Sequence, residues 1–289
     1  MHGKVALLRK GLFFCREQIK KAVVRFQTIL RGDDVESTDQ LAKDGDDDAN
    51  DDEDVESDDC GDDGEAYDLP TPVTNHDTIV NMRPFDTNSM VWIWEFPYSV
   101  SQSTYQDRNG SNACSIIALF IAQGIHQVNA DLDPCPLLPA DWVTLVCGCI
   151  REGNAVYDHS RANLPQRYLS VAEAAMVAGN LLDVSVGQPL PVRVRDPHPP
   201  STLQYHLIEL CNNQTQRASF ALFIVNDKTV LFISVKKEKL ILVDSHLHEP
   251  KGAIVMLGKP CHVDIFIHAV QESLGLDNNT FGNLVPVTF

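Results

Sequence analysis

Three apolar runs at 219–225, 229–235 and 239–244 follow one another with almost no chain spent on joining them. Asn226-Asp227 separates the first two, and residues 236–238 separate the last two. Joints this short leave one arrangement open. Parallel strands need a crossover of about a dozen residues, whereas antiparallel neighbours close through two or three, and Asn and Asp tolerate the positive φ of such turns. The segment is therefore read as an antiparallel meander, around which the rest of the chain has to pack. Its third run ends in Asp244-Ser245-His246-Leu247-His248, polar residues at the exit of an otherwise apolar strand.

The flanking sequence supplies the remaining layers. Met90-Val-Trp92-Ile-Trp94-Glu-Phe96 alternates as a strand does, and Pro97 ends it. Gln102 to Ala113 is a polar stretch containing Gly110, and it runs straight into the apolar residues that follow Cys114. That pattern predicts a loop opening into a helix with Cys114 in the first turn. Pro134, Pro136 and Pro139 mark another loop. Helices are expected over 140–152 and 169–182, the second with Ser170 as N-cap and Glu173 closing a capping box. The proline-rich region 187–201 reads as a loop or lid edge, and a last helix near 262–274 and strand near 284–289 complete the domain. Helices first and strands later predict an α+β fold with segregated layers. No internal repeat is present.

Charge divides the chain into three parts. Residues 1–31 carry a net +7, residues 33–68 a net −18, and the remainder a net −6. Over 4–31, Val5, Leu8, Leu12, Cys15, Ile19, Val23, Phe26 and Leu30 recur at helical spacing among eight Lys/Arg. Residues 1–32 are thus expected to form a basic amphipathic helix, suited to an anionic membrane surface, a partner groove or docking on its own domain. Residues 33–69 form an acidic linker expected to be disordered, and the folded domain is expected over 70–289. That domain is mildly acidic, which argues against a nucleic-acid surface within it.

The eight cysteines include no Cys-x-x-Cys pair and no zinc-like spacing, so no metal or other cofactor is implied. The start of the chain lacks the apolar run and small-residue cleavage site of a secretory signal. No stretch approaches the roughly 18 apolar residues that cross a bilayer. The expected location is intracellular, cytoplasmic or nuclear, with free thiols.

A lone cysteine on an apolar helix is more often core than catalyst, and a histidine on a strand is usually structural. The combination narrows the choice. A helix N-terminus stabilises a thiolate, and a strand carrying Asp244 and His246 at i and i+2 offers a base and its orienting carboxylate on one face. Nucleophile, base and orienter in one chain point to a cysteine hydrolase.

The order of Cys on a helix and His on a later sheet strand resembles papain-like cysteine peptidases; Ulp-type proteases place the His first. More narrowly, Gln102, the glycine loop, Cys114 and Asp244-x-His246 are similar to the herpesvirus large tegument protein deubiquitinases. So is Val243-Asp-Ser-His-Leu-His-Glu-Pro-Lys-Gly252-Ala. The resemblance covers roughly 90–275. It implies a papain-like fold, with the Cys in a helical part and the His on an antiparallel sheet. It implies Cys114 as nucleophile, His246 as general base, Asp244 as its orienter and Gln102 as oxyanion donor, with ubiquitin or a ubiquitin-like protein as substrate. Gln106 is the second choice for the donor. Asp264 is an alternative orienter, since many papain-like enzymes draw theirs from a later strand. His248 is expected in a supporting or surface position, and His206, His262 and His268 are expected to be structural. Other readings remain open: an inactive binding module, an acyltransferase of transglutaminase type drawing on Asp264, or a scaffold acting through residues 1–68.

Overall fold

The computed structural model describes residues 80–289, apart from 87, 89, 163, 165–167, 196–198 and 214–215. The basic helix and acidic linker expected at the start of the chain lie outside the described residues. Among the described residues, nine strands form one antiparallel sheet. The meander is present as β5 (Ala218–Val225), β6 (Lys228–Val235) and β7 (Lys239–Asp244). Both turns carry the positive φ that tight hairpins require, at Asn226 and Asp227 and again at Lys236 and Lys237. β8 (Ile254–Gly258) pairs with β7, followed outward by β2 (Val91–Glu95) and β1 (Met82–Pro84). On the other side β5 pairs with β9 (Phe281–Thr288). The far edge of β9 takes β3 (Ser185–Val186) and β4 (Leu190–Arg193).

Strand alternation divides the core in two. Phe220, Leu222, Leu231, Ile233, Ile241, Val243, Val255 and Leu257 face α1 (Cys114–Val128), α2 (Ala140–Arg161) and α3 (Val171–Ala178). Ala221, Phe223, Phe232, Leu240, Leu242 and Met256 face α4 (Leu203–Asn212) and α5 (Val263–Leu274). The sheet is therefore covered by helices on both sides, a combination of helix and antiparallel sheet compatible with the expected α+β class. Two helices follow the meander's face pattern rather than their place in sequence.

Three expectations change. The second helix does not stop at 152 but runs on to Arg161; within it, a side chain at Gly153 would meet Ile117 Cγ1 at 2.5 Å and the Ile117 backbone at 3.2 Å. Glycine fits there because α1 and α2 approach closely. The third helix is shorter than 169–182, although Ser170 and Glu173 form the expected capping box, and a 3-10 turn at Gly179–Leu181 follows it. The proline-rich region is not all loop: β4 contains Pro191 opposite Asn283, and Arg193 lies over the Phe281 ring at 4.3 Å. Pro191 sits on a strand at the sheet margin, where a missing N–H is tolerated.

Candidate active site

The loop before α1 is fastened at both ends. The Gln102 N–H donates to Ser245 O at 2.7 Å, and Asn154 Nδ2 of α2 donates to Gln102 O at 3.0 Å. Further along, Arg108 makes a bidentate pair with Asp158 of α2 at 2.7 and 2.5 Å, and Gly110 turns the chain at φ +86°. Ser111 Oγ donates to Asn154 Oδ1 at 2.6 Å and accepts from the Ala113 N–H at 3.1 Å. α1 then begins at Cys114 with no side-chain cap. Its first-turn amides are therefore left to whatever sits at Cys114.

The opposite wall comes from the exit of β7. Leu240 and Leu242 point into the α5 side of the core, and Asp244, fully buried, continues their alternation. Had the strand gone on, His246 would share that face and point away from Cys114. β7 instead ends at Asp244, and the bend that follows carries His246 round to the thiol. The pairing expected from strand geometry is formed by the end of the strand. Asp244 Oδ1 accepts from His246 Nδ1 at 2.5 Å and from the His246 backbone N–H at 2.9 Å. With Nδ1 so engaged, Nε2 is the nitrogen left to face Cys114, and the ring and the thiol each favour the charged form of the other.

The electrostatics separate Cys114 from the other buried thiols. Burial by itself would raise its pKa, but the hydrogen bond and charge of His246, with hydrogen bonds from Thr229, bring it below the ordinary 9.0. Burial pushes the thiols of Cys135, Cys149 and Cys211 up, and that of Cys147 up to about 12. His246 loses some basicity to burial and regains more from Asp244 and Cys114, ending at about 10. Burial opposes ionisation of Asp244 as well, yet its two histidine neighbours hold the carboxyl well below the usual range. Thr229 had no signal in the sequence. It is the second residue of β6, opposite Ile224, its hydroxyl lies 2.9 Å from Ser115 Oγ, and only the meander's register brings it beneath α1.

The Gln102 amide has a defined orientation. Its Nε2 donates to Ser111 O at 3.2 Å, and its Oε1 accepts from Ser245 Oγ at 2.9 Å. A carbonyl only accepts, so the nitrogen must face Ser111. That nitrogen carries a second proton, and no acceptor for it is found among the described residues. Gln106 is exposed, with φ +58°, and is not part of this network. Asp264 lies not on a later strand but in the first turn of α5, exposed, where its backbone oxygen accepts from Arg195. His248 is no surface residue: its Nε2 lies 2.9 Å from Asp244 Oδ2 and its Nδ1 lies 3.1 Å from Ser273 O.

No cluster of His, Cys, Asp and Glu able to hold a metal occurs among the described residues, and no helix among them is long and apolar enough to cross a membrane.

No family model matches the sequence, and no curated protein matches it. Among solved structures it is similar to the ubiquitin-specific protease encoded by murine cytomegalovirus tegument protein M48, solved in complex with a ubiquitin-based suicide substrate. The two are 13% identical with a TM-score of 0.44, over 66% of this chain and 84% of that one.

Proposed function

We propose that the chain is a papain-like cysteine peptidase that removes ubiquitin or a ubiquitin-like modifier. The observation that carries this reading is the line Asp244–His246–Cys114, along which one thiol is brought below its ordinary pKa while the other buried thiols rise. A thiolate beside an imidazolium is the form of cysteine that attacks a carbonyl.

In the first step the Cys114 sulfur bonds to the carbonyl carbon, and the carbonyl π electrons move to oxygen. Gln102 Nε2 and the Cys114 backbone N–H donate to that oxygen. As the carbon–nitrogen bond breaks, His246 Nε2 protonates the leaving amine, and a thioester remains. Neutral His246 then takes a proton from water. The hydroxide adds to the thioester, the carbon–sulfur bond breaks, and the acid and thiolate are released. Asp244 fixes the imidazole tautomer and stabilises its charged form throughout.

The substrate class rests on the resemblance of the Gln102–Cys114 and Val243–Ala253 segments to herpesvirus deubiquitinases, and on access to the thiol. Cys114 is 5% exposed and His246 9%, so only a slender acyl chain can reach the sulfur, as an extended glycine-ended tail can. The transglutaminase-type reading has lost its distinguishing residue, because Asp264 stands exposed on a helix.

The test is labelling by ubiquitin that carries a C-terminal thiol-reactive warhead. An adduct is expected with the full chain, absent in Cys114→Ala and strongly slowed in His246→Ala. No adduct, while iodoacetamide still singles out Cys114 at neutral pH, would leave a thiol enzyme with another substrate. Equal reactivity of all thiols would remove the catalytic reading.

A further inference from the structure

The buried carboxylate of Asp244 is shared by two histidines, and the triad uses only one of them. Oδ1 takes both donors from His246, whereas Oδ2 faces His248 Nε2 at 2.9 Å. We propose that His248 is a positioning residue, which holds Oδ2 so that Oδ1 stays aimed at His246. This proposal rests on the peptidase reading of the site.

The torsion that swings a carboxylate about its Cβ–Cγ bond is broad and soft, so an aspartate is aimed by what its second oxygen meets. His248 suits that task because it is fixed independently of the triad. Its Nδ1 meets Ser273 O, one of the last carbonyls of α5, which have no partner within their own helix. Its backbone is closed against Lys251, with His248 N–H to Lys251 O at 3.0 Å and Lys251 N–H to His248 O at 2.5 Å. His248 therefore ties the catalytic carboxylate to the end of a helix on the far side of the sheet from Cys114.

Proton accounting gives the contact its sense. An ionised carboxylate only accepts, so the ring nitrogen that faces Asp244 makes its contact as a donor. Besides Asp244, the charged groups nearest in sequence to the residues that hold the ring are Glu249 and Lys251, exposed on the same turn, and Glu272, which pairs with His268 at 3.5 Å. The partner that sets the direction of the ring at Nε2 is Asp244.

The two nitrogens can be tested separately. Glutamine places an amide near the position of Nε2, and asparagine places one near Nδ1. The readouts are the rate at which iodoacetamide alkylates Cys114 at about pH 6, where only an ion-paired thiolate reacts, and kcat and KM on a ubiquitin substrate. His248→Leu and His248→Asn are expected to lose about 10–100-fold in both alkylation rate and kcat, with little change in KM. His248→Gln, which keeps the donor to Asp244, is expected to recover to within about fivefold of the parent rate. Thermal unfolding of the Gln and Asn variants serves as the check that both fold.

Equal loss in Gln and Asn, equal recovery in both, or parent rates in the Leu variant would each overturn the proposal. If the ubiquitin probe fails on the parent while the alkylation pattern holds, the substrate reading falls and His248 keeps its role. If Cys114 of the parent alkylates no faster than the other thiols, both fall together.

Discussion

Two side chains make the chemistry of Cys114 measurable residue by residue. Gln102 is locked by Ser111 and Ser245, with one amide proton left over. Gln102→Ala is expected to lower kcat by about 10²–10³ with a small effect on KM, because the lost donor acts on charge that develops only in the transition state; steady-state kinetics on a ubiquitin substrate checks this. His246 offers a second test through linkage. Its folded pKa is raised from 6.5 to about 10, so its pairing with Asp244 contributes fully below pH 6.5 and is lost as pH rises towards 10. In the native protein Cys114 opposes that loss. Once the thiol has ionised, and up to 9.0, the folded state holds one proton on His246 and the unfolded state holds one on Cys114, so stability is flat. Cys114→Ala removes the compensation. Its stability relative to the parent should fall with rising pH from the point at which the folded Cys114 thiol ionises up to 9.0, by at most about 1.4 kcal/mol per pH unit. Denaturant midpoints between pH 6.5 and 9 decide the matter, and parallel curves would contradict it.

Among the elements, the meander and the start of α1 were legible because each is fixed by local chemistry. Two- and three-residue joints force hairpins, and a polar glycine loop running into an apolar series forces a helix start. The candidate residues on these elements were legible for the same reason. What escaped was set by contacts distant in sequence. α4 carries Leu203, Leu207 and Cys211 on its buried face behind a Thr202 cap, but proline-rich sequence before it obscures the pattern. β8 is an apolar run whose strand character depends on lying between β2 and β7. Thr229 and His248 join the site only through register and the docking of α5. The closest helix contact gives a prediction at this scale. Gly153→Ala should push Ile117, one turn beyond Cys114, and destabilise the fold by about 1–3 kcal/mol through overpacking. A denaturant midpoint equal to the parent's would show that α1 and α2 separate freely.

Across the whole molecule, the site draws on residues 102–114, Asn154, Thr229 and 244–248, and on the end of α5 for support. The sheet that holds them together is completed from its interior, because β9 pairs on both sides, with β5 and with β3 and β4. Deleting residues 281–289 should therefore act as a core deletion rather than a trimmed edge. It would uncover Phe220, Leu222 and Phe223 along β5, and cooperative unfolding should be lost together with the selective alkylation of Cys114. A truncated chain that keeps a sharp melting transition would refute this. The placement of β9 also bears on synthesis. Cys114 leaves the ribosome long before the residues that sharpen its reactivity, and the strand that closes the sheet is the last described element to emerge. On the proposed reading, the chain carries an ordinary cysteine until then, and a half-made copy presents the cell with no armed nucleophile.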